Sequence, residues 1–83
     1  MNKNEVLEEM LFAYENREND FPVISDGEVL FPVFTKSGIV HNWETKEDLK
    51  GYRGLALEIN DHGNVTVWNC FKNGNRKEIA SRV

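Results

Sequence analysis

The chain is expected to be α+β, with one N-terminal helix packed on an antiparallel meander sheet of five or six strands, a sheet free to curl towards a half-open barrel. Three observations predict this. Apolar residues recur at helical spacing within residues 3–18. From Phe21 onward the pattern becomes short apolar runs punctuated by Asp26-Gly27, Ser37-Gly38, His62-Gly63 and Asn73-Gly74. Two of the later runs, about 54–60 and 64–71, alternate apolar and polar residues with the period of a half-buried strand.

The helix is expected over about 3–18. Asn2 and Glu5 have the spacing of a capping box. Val6, Leu7, Met10, Leu11, Ala13 and Tyr14 share one face, and early glutamates suit the positive end of the helix dipole. Pro22 disfavours helical geometry in the residue before it, so the helix must stop earlier.

Strands follow at about 21–25, 28–35 and 39–44. Asp26-Gly27 fits a two-residue hairpin turn that needs positive φ twice. Pro32 cannot donate to a ladder, so the first strand must end before it reaches the proline. Thr45-Lys-Glu-Asp has a second capping-box spacing, which predicts a helical turn over about 45–50. Strands at about 54–60, 64–71 and 76–82 complete the chain.

The last hairpin admits two registers. A two-residue Asn73-Gly74 loop pairs Val67 with Ala80, whereas a three-residue Lys72-Asn73-Gly74 loop pairs Val67 with Ile79. The second is preferred because it aligns Leu57, Val67 and Ile79, and a slip of one residue would reverse the facing. One sheet face then carries Leu55, Leu57, Ile59, Val65, Val67, Phe71 and Ile79, to be buried under the helix. The other carries Glu58, Thr66, Trp68, Cys70, Arg76, Glu78 and Arg82.

Size and composition bound the function. Eighty-three residues, 40% hydrophobic and 29% charged, make one small domain with a modest core. One cysteine excludes an internal disulfide and any CxxC pair. No apolar stretch approaches the roughly 18 residues of a membrane span. Met1-Asn2-Lys3-Asn4-Glu5 lacks the basic-then-apolar pattern of a signal peptide. The expectation is a soluble cytoplasmic protein with no membrane association.

Catalysis is not expected. Cys70 lies mid-strand as a small apolar residue, and His62 sits in an Asp-His-Gly turn explained by turn geometry. His41 and the carboxylates show no metal-ligand spacing, and the single glycines form no phosphate loop. No catalytic residue, metal or cofactor is assigned.

Charge is uneven along the chain. Residues 1–48 hold eleven carboxylates against four basic groups, a balance of −7, and residues 49–83 hold six basic groups against three carboxylates, a balance of +3. Two candidate binding surfaces result. On the helix, Phe12 points away from the apolar stripe amid Glu5, Glu8, Glu9 and Glu15, a pattern suited to a basic protein partner or to a homodimer contact. On the outer sheet face, Trp68 with Arg76, Lys77 and Arg82 has the character of a single-stranded nucleic-acid platform. The leading expectation is a small non-enzymatic binding protein that modulates or inhibits a protein partner through the acidic helix. Such a role would suit an immunity or antitoxin-like protein, or a small phage or mobile-element factor. The nucleic-acid module is the alternative.

Overall fold

The computed structural model describes residues 2–38 and 40–83, and of 40–42 the backbone alone. The expected start of the third strand at Ile39, and the side chain of His41, lie outside the described residues. The elements are α1 (Lys3–Glu15), β1 (Val23–Ser25), β2 (Glu28–Phe34), β3 (Val40–Lys46), β4 (Gly54–Ile59), β5 (Val65–Cys70) and β6 (Arg76–Arg82). The fold is α+β, with the helix on one six-stranded sheet.

Asn2 caps α1 as its spacing implies. Its side chain accepts from the Glu5 backbone N–H at 2.8 Å and its amide donates to the Glu5 carboxylate at 3.2 Å. The helix ends at Glu15, three residues short of the expected limit. The cause is a Schellman closure: the Glu18 N–H reaches the Ala13 carbonyl at 2.9 Å and the Arg17 N–H the Tyr14 carbonyl at 3.0 Å. Arg17 takes the left-handed conformation (φ 57°) that this closure demands.

The sheet is mixed and open, which corrects the purely antiparallel expectation. Its order is β3-β2-β1-β4-β5-β6, and β1 runs parallel to β4, pairing Val23 with Leu57 and Ile24 with Glu58. Two antiparallel meanders are thus joined through their first strands. The physical reason lies in Phe21-Pro22-Val23-Ile24, an unbroken apolar run that is buried throughout. A strand apolar on both faces belongs in the centre of a sheet. The outermost strands carry charges instead, Glu44 and Lys46 on β3, and Arg76, Lys77, Glu78 and Arg82 on β6. Such charges discourage pairing with a further strand.

The turns agree with their chemistry. Asp26 and Gly27 both have positive φ, 51° and 81°, as a primed hairpin turn requires. Of β2, β1 pairs only with residues 28–30, so Pro32 lies beyond its end, paired with Trp43 alone. The expected helical turn over 45–50 does not form. Thr45 is the partner of Leu30 in β3, and Asp48 instead accepts from the Lys50 N–H at 3.0 Å in a local side-chain turn. The extra pairing available to Thr45 and Lys46 against β2 outweighs one cap hydrogen bond.

The last hairpin uses both registers. Trp68 pairs with Glu78, as in the three-residue loop, but Val67 pairs with Ala80. Ile79 is the extra residue, a β-bulge. The bulge lets Ile79 and Ala80 both pack towards the helix, and it moves Arg82 opposite Val65 on the helix side.

Cores form on both sheet faces. Beneath α1 lie Leu7, Met10, Phe21, Val23, Leu57, Val65, Val67 and Ala80. On the far face Ile24, Val29, Ala56 and Cys70 are covered by Leu49 and Tyr52 from the β3–β4 connection. Leu55 and Phe71, expected to be buried, remain 37% and 43% exposed. Leu57 is fully covered, so the helix shields the middle of β4 and leaves the Leu55 end open.

Arg17→Gly should stabilise the protein, because glycine adopts the left-handed conformation without the steric cost an arginine bears. The expected gain is about 0.5–1 kcal/mol, or roughly 2–8 °C in Tm by calorimetry. An unchanged or lower Tm would show that the Arg17 side chain stabilises the helix end.

Candidate binding surfaces

Successive helix residues advance by about 100°, which places Glu5, Glu8, Glu9, Phe12 and Glu15 within roughly a third of the circumference of α1, with Phe12 at the centre. Leu7 and Met10, on the opposite side, are buried. All five of the outward residues are exposed, Phe12 at 66%. The structure therefore brings these sequence-selected residues together on one convex face.

The carboxylates differ in their surroundings. Glu8 forms an ion pair with Arg82, which arrives from β6 because of the Ile79 bulge. Glu5 accepts from Asn2. Glu9 and Glu15 flank Phe12 with their side chains in solvent. An apolar ring framed by solvated carboxylates has the anatomy of a contact anchor with a polar rim.

The outer sheet face is differently built from the expected platform. Trp68 lies there, half-buried, in the cluster with Leu49 and Tyr52. Its indole N–H donates to Glu58 at 2.8 Å. The Arg76 guanidinium covers its ring, 4.6 Å from the centroid. Arg82 is absent from this face. Lys77 pairs with Asn69, and alternation along β5 directs that pair to the helix side. Of the four residues selected for nucleic acid, only Trp68 and Arg76 meet, and they stack on each other. The neighbours of Arg76 not foreseen from the sequence are Glu47 and Asp48, which line a cleft of about 370 Å³ with it and Glu58. Their sequence signal was obscured by the expected helical turn, which would have directed them elsewhere.

Further along that face the aromatic contacts continue. The Phe31 and Tyr52 rings meet edge to face at 5.7 Å, and the Lys46 ammonium sits 4.3 Å from the Phe31 centroid. On the helix side Tyr14 meets Trp43 at 5.9 Å. These contacts fasten the β2–β3 ribbon to the rest of the molecule from both sides.

Reactive groups are sparse among the described residues. Cys70 is buried, and burial pushes its thiol above the ordinary range, against an opposing pull from Arg76. Tyr52 is likewise raised, first by burial and then by the charges of Cys70 and Asp20. His62 lies at an exposed turn tip, 3.6 Å from Asp61. No group of three or more metal-ligating side chains occurs among the described residues. No described helix is long and apolar enough to cross a membrane.

Both Cys70 and Tyr52 are harder to ionise folded than unfolded. As pH rises, the unfolded chain loses these protons first, so stability is flat below the ordinary thiol range and falls above it. The urea midpoint should be level near neutrality and decline once pH exceeds about 8.5. Cys70→Ala should delay the onset of the decline towards the tyrosine range. A midpoint that rises with alkaline pH would contradict this assignment.

Comparison with protein-family models, with curated proteins and with solved structures finds no match, so function is read from the chemistry of these surfaces alone.

Proposed function

We propose that this chain is a small non-enzymatic binding protein that engages a basic surface on a protein partner through the outer face of α1. The observation that carries this reading is Phe12, 66% exposed at the centre of the Glu5, Glu8, Glu9 and Glu15 arc. Aromatic anchors dominate contact energies, while rim carboxylates accelerate encounter and reject acidic partners. Masking a basic site in this way is what an inhibitor of a nucleic-acid-handling or similarly cationic protein requires. The same face could also meet a second copy of the chain, though facing arcs of carboxylate would repel.

The single-stranded nucleic-acid reading receives less support. A stacking platform needs an open aromatic face amid cations. Here Arg76 occupies the Trp68 ring and Glu58 accepts from its indole N–H, while Glu47 and Asp48 share a cleft with Arg76.

The test is partner capture from the source lysate by wild-type protein, Phe12→Ala, and a Glu9→Lys/Glu15→Lys variant. Reversal at Glu8 is avoided, because it would set a lysine against Arg82 and disturb the packing of β6. Loss of the anchor should weaken recovery by about tenfold or more, since central aromatic residues contribute about 2 kcal/mol or more. The charge reversal should abolish recovery at low salt, with circular dichroism unchanged in both variants. Equal recovery by all three proteins would refute the helix-face reading, and a dimer dissociated by Phe12→Ala in sedimentation would reassign the face to self-association.

A further inference from the structure

A concave site adjoins the convex face of α1. Val6, Glu9 and Met10 form one wall, and Asp20 and Phe21 form another beneath the helix exit. Tyr52 and Leu55 close the cleft, which has a volume of about 520 Å³. That lies within the range of small-ligand and side-chain pockets. It exists because α1 stops covering β4 beyond Leu57, leaving Leu55 37% exposed beside buried Met10 and Phe21.

The polar chemistry at its mouth is one-sided. Glu9 and Asp20 supply carboxylates, and no cationic residue lines the cleft. The Tyr52 hydroxyl already donates its proton to the Leu55 carbonyl at 2.7 Å, so its oxygen offers only lone pairs. Side-chain polar groups at the mouth therefore accept hydrogen bonds and none offers a spare donor. The matching occupant has an apolar stem and a head rich in donors. Arginine meets both conditions: its methylenes pack on apolar surface, and its guanidinium presents five N–H donors to carboxylates with a lower hydration cost than an ammonium.

We infer that this cleft seats an arginine side chain from the basic protein partner, with its stem along Met10 and Leu55 and its guanidinium between Glu9 and Asp20. The inference rests on the proposed partner-binding role and deepens it. Glu9 borders both surfaces, so a partner segment crossing α1 would place an apolar residue against Phe12 and an arginine in the cleft. Rim carboxylates alone give weak contacts because water screens them. The apolar floor is what makes an arginine preferable to a freely solvated cation here.

The test uses a short peptide of alternating arginine and leucine, titrated into ¹⁵N-labelled full-length protein. A second peptide carries citrulline in place of arginine, which preserves shape and removes charge. The expected result is saturable shifts of the Val6, Met10, Phe21 and Leu55 amides, with binding roughly tenfold weaker for the citrulline peptide. A Glu9→Gln/Asp20→Asn variant should lose affinity to a similar degree, and Leu55→Ser should weaken binding of both peptides. Equal binding of the two peptides, or no saturable shift at those amides, overturns the cleft assignment. Shifts confined to Glu5, Phe12 and Glu15 overturn it while supporting the convex face. Shifts at the cleft that leave Phe12 unmoved support the arginine seat and count against Phe12 as an anchor.

Discussion

Val23 and Ile24 are neighbours in the chain, and the sheet buries one on each face. Each face of β1 must therefore be covered, and each of its edges paired, because a buried strand cannot leave its N–H and C=O groups without partners. The Asp26-Gly27 hairpin supplies β2 on one edge. The other edge takes β4, with the Leu57 N–H donating to the Pro22 carbonyl at 3.1 Å just before the strand begins. From this pairing follow the central place of β1, the parallel junction and the outward position of the charged strands. It also explains why two separate coverings are needed, α1 on one side and Leu49 with Tyr52 on the other.

The surfaces are consequences of how far those coverings extend. The helix is thirteen residues long and lies over β4, β5 and β6, so its outer face is solvent-directed and its flank leaves a cleft over Leu55. The β3–β4 connection is held by a local turn, Tyr52 N–H to the Leu49 carbonyl at 2.9 Å, and by a bond to the β5–β6 loop, Gly51 N–H to the Lys72 carbonyl at 3.2 Å. It covers enough of the far face to enclose Trp68 partly and to bring Glu47 and Asp48 to a cleft shared with Arg76. Gly54 permits this route. It has a φ of 143°, and a Cβ there would lie 2.8 Å from the Tyr52 hydroxyl, the group that ties the connection to Leu55.

Local signals in the sequence were sound where a single interaction decides the outcome. The Asn2 cap, the Asp26-Gly27 turn, the alternating strands and the outward direction of Phe12 each depend on neighbours a few residues away. Strand order depends on comparing distant segments, and there one clue was readable: the uninterrupted run at 21–24 is a two-sided pattern, unlike the one-sided alternation of 54–60. Its length of only a few residues left its partner on the second edge unspecified, because the strand it pairs with, β4, lies about thirty residues further along the chain. The Thr45 to Asp48 spacing misled because a cap spacing and a strand end share residue types, and only the partner strand arbitrates between them. The exposure of Leu55 has no local signal, since it depends on where α1 lies across the sheet. The companion residues of Phe12 were legible from helical spacing, and Glu58 and Arg76 beside Trp68 from strand alternation, whereas the departure of Arg82 was not, because one bulge reverses the facing beyond it.

That bulge decides which face of the sheet the end of β6 presents. Through Ile79 the strand changes parity once, sending Arg76 to the indole and Arg82 to Glu8. Deleting Ile79 would close the bulge and keep Arg82 opposite Val65, whereas flattening the bulge at constant length would return Arg82 to the Trp68 side. The one extra residue thus decides which side of the scaffold carries that positive charge.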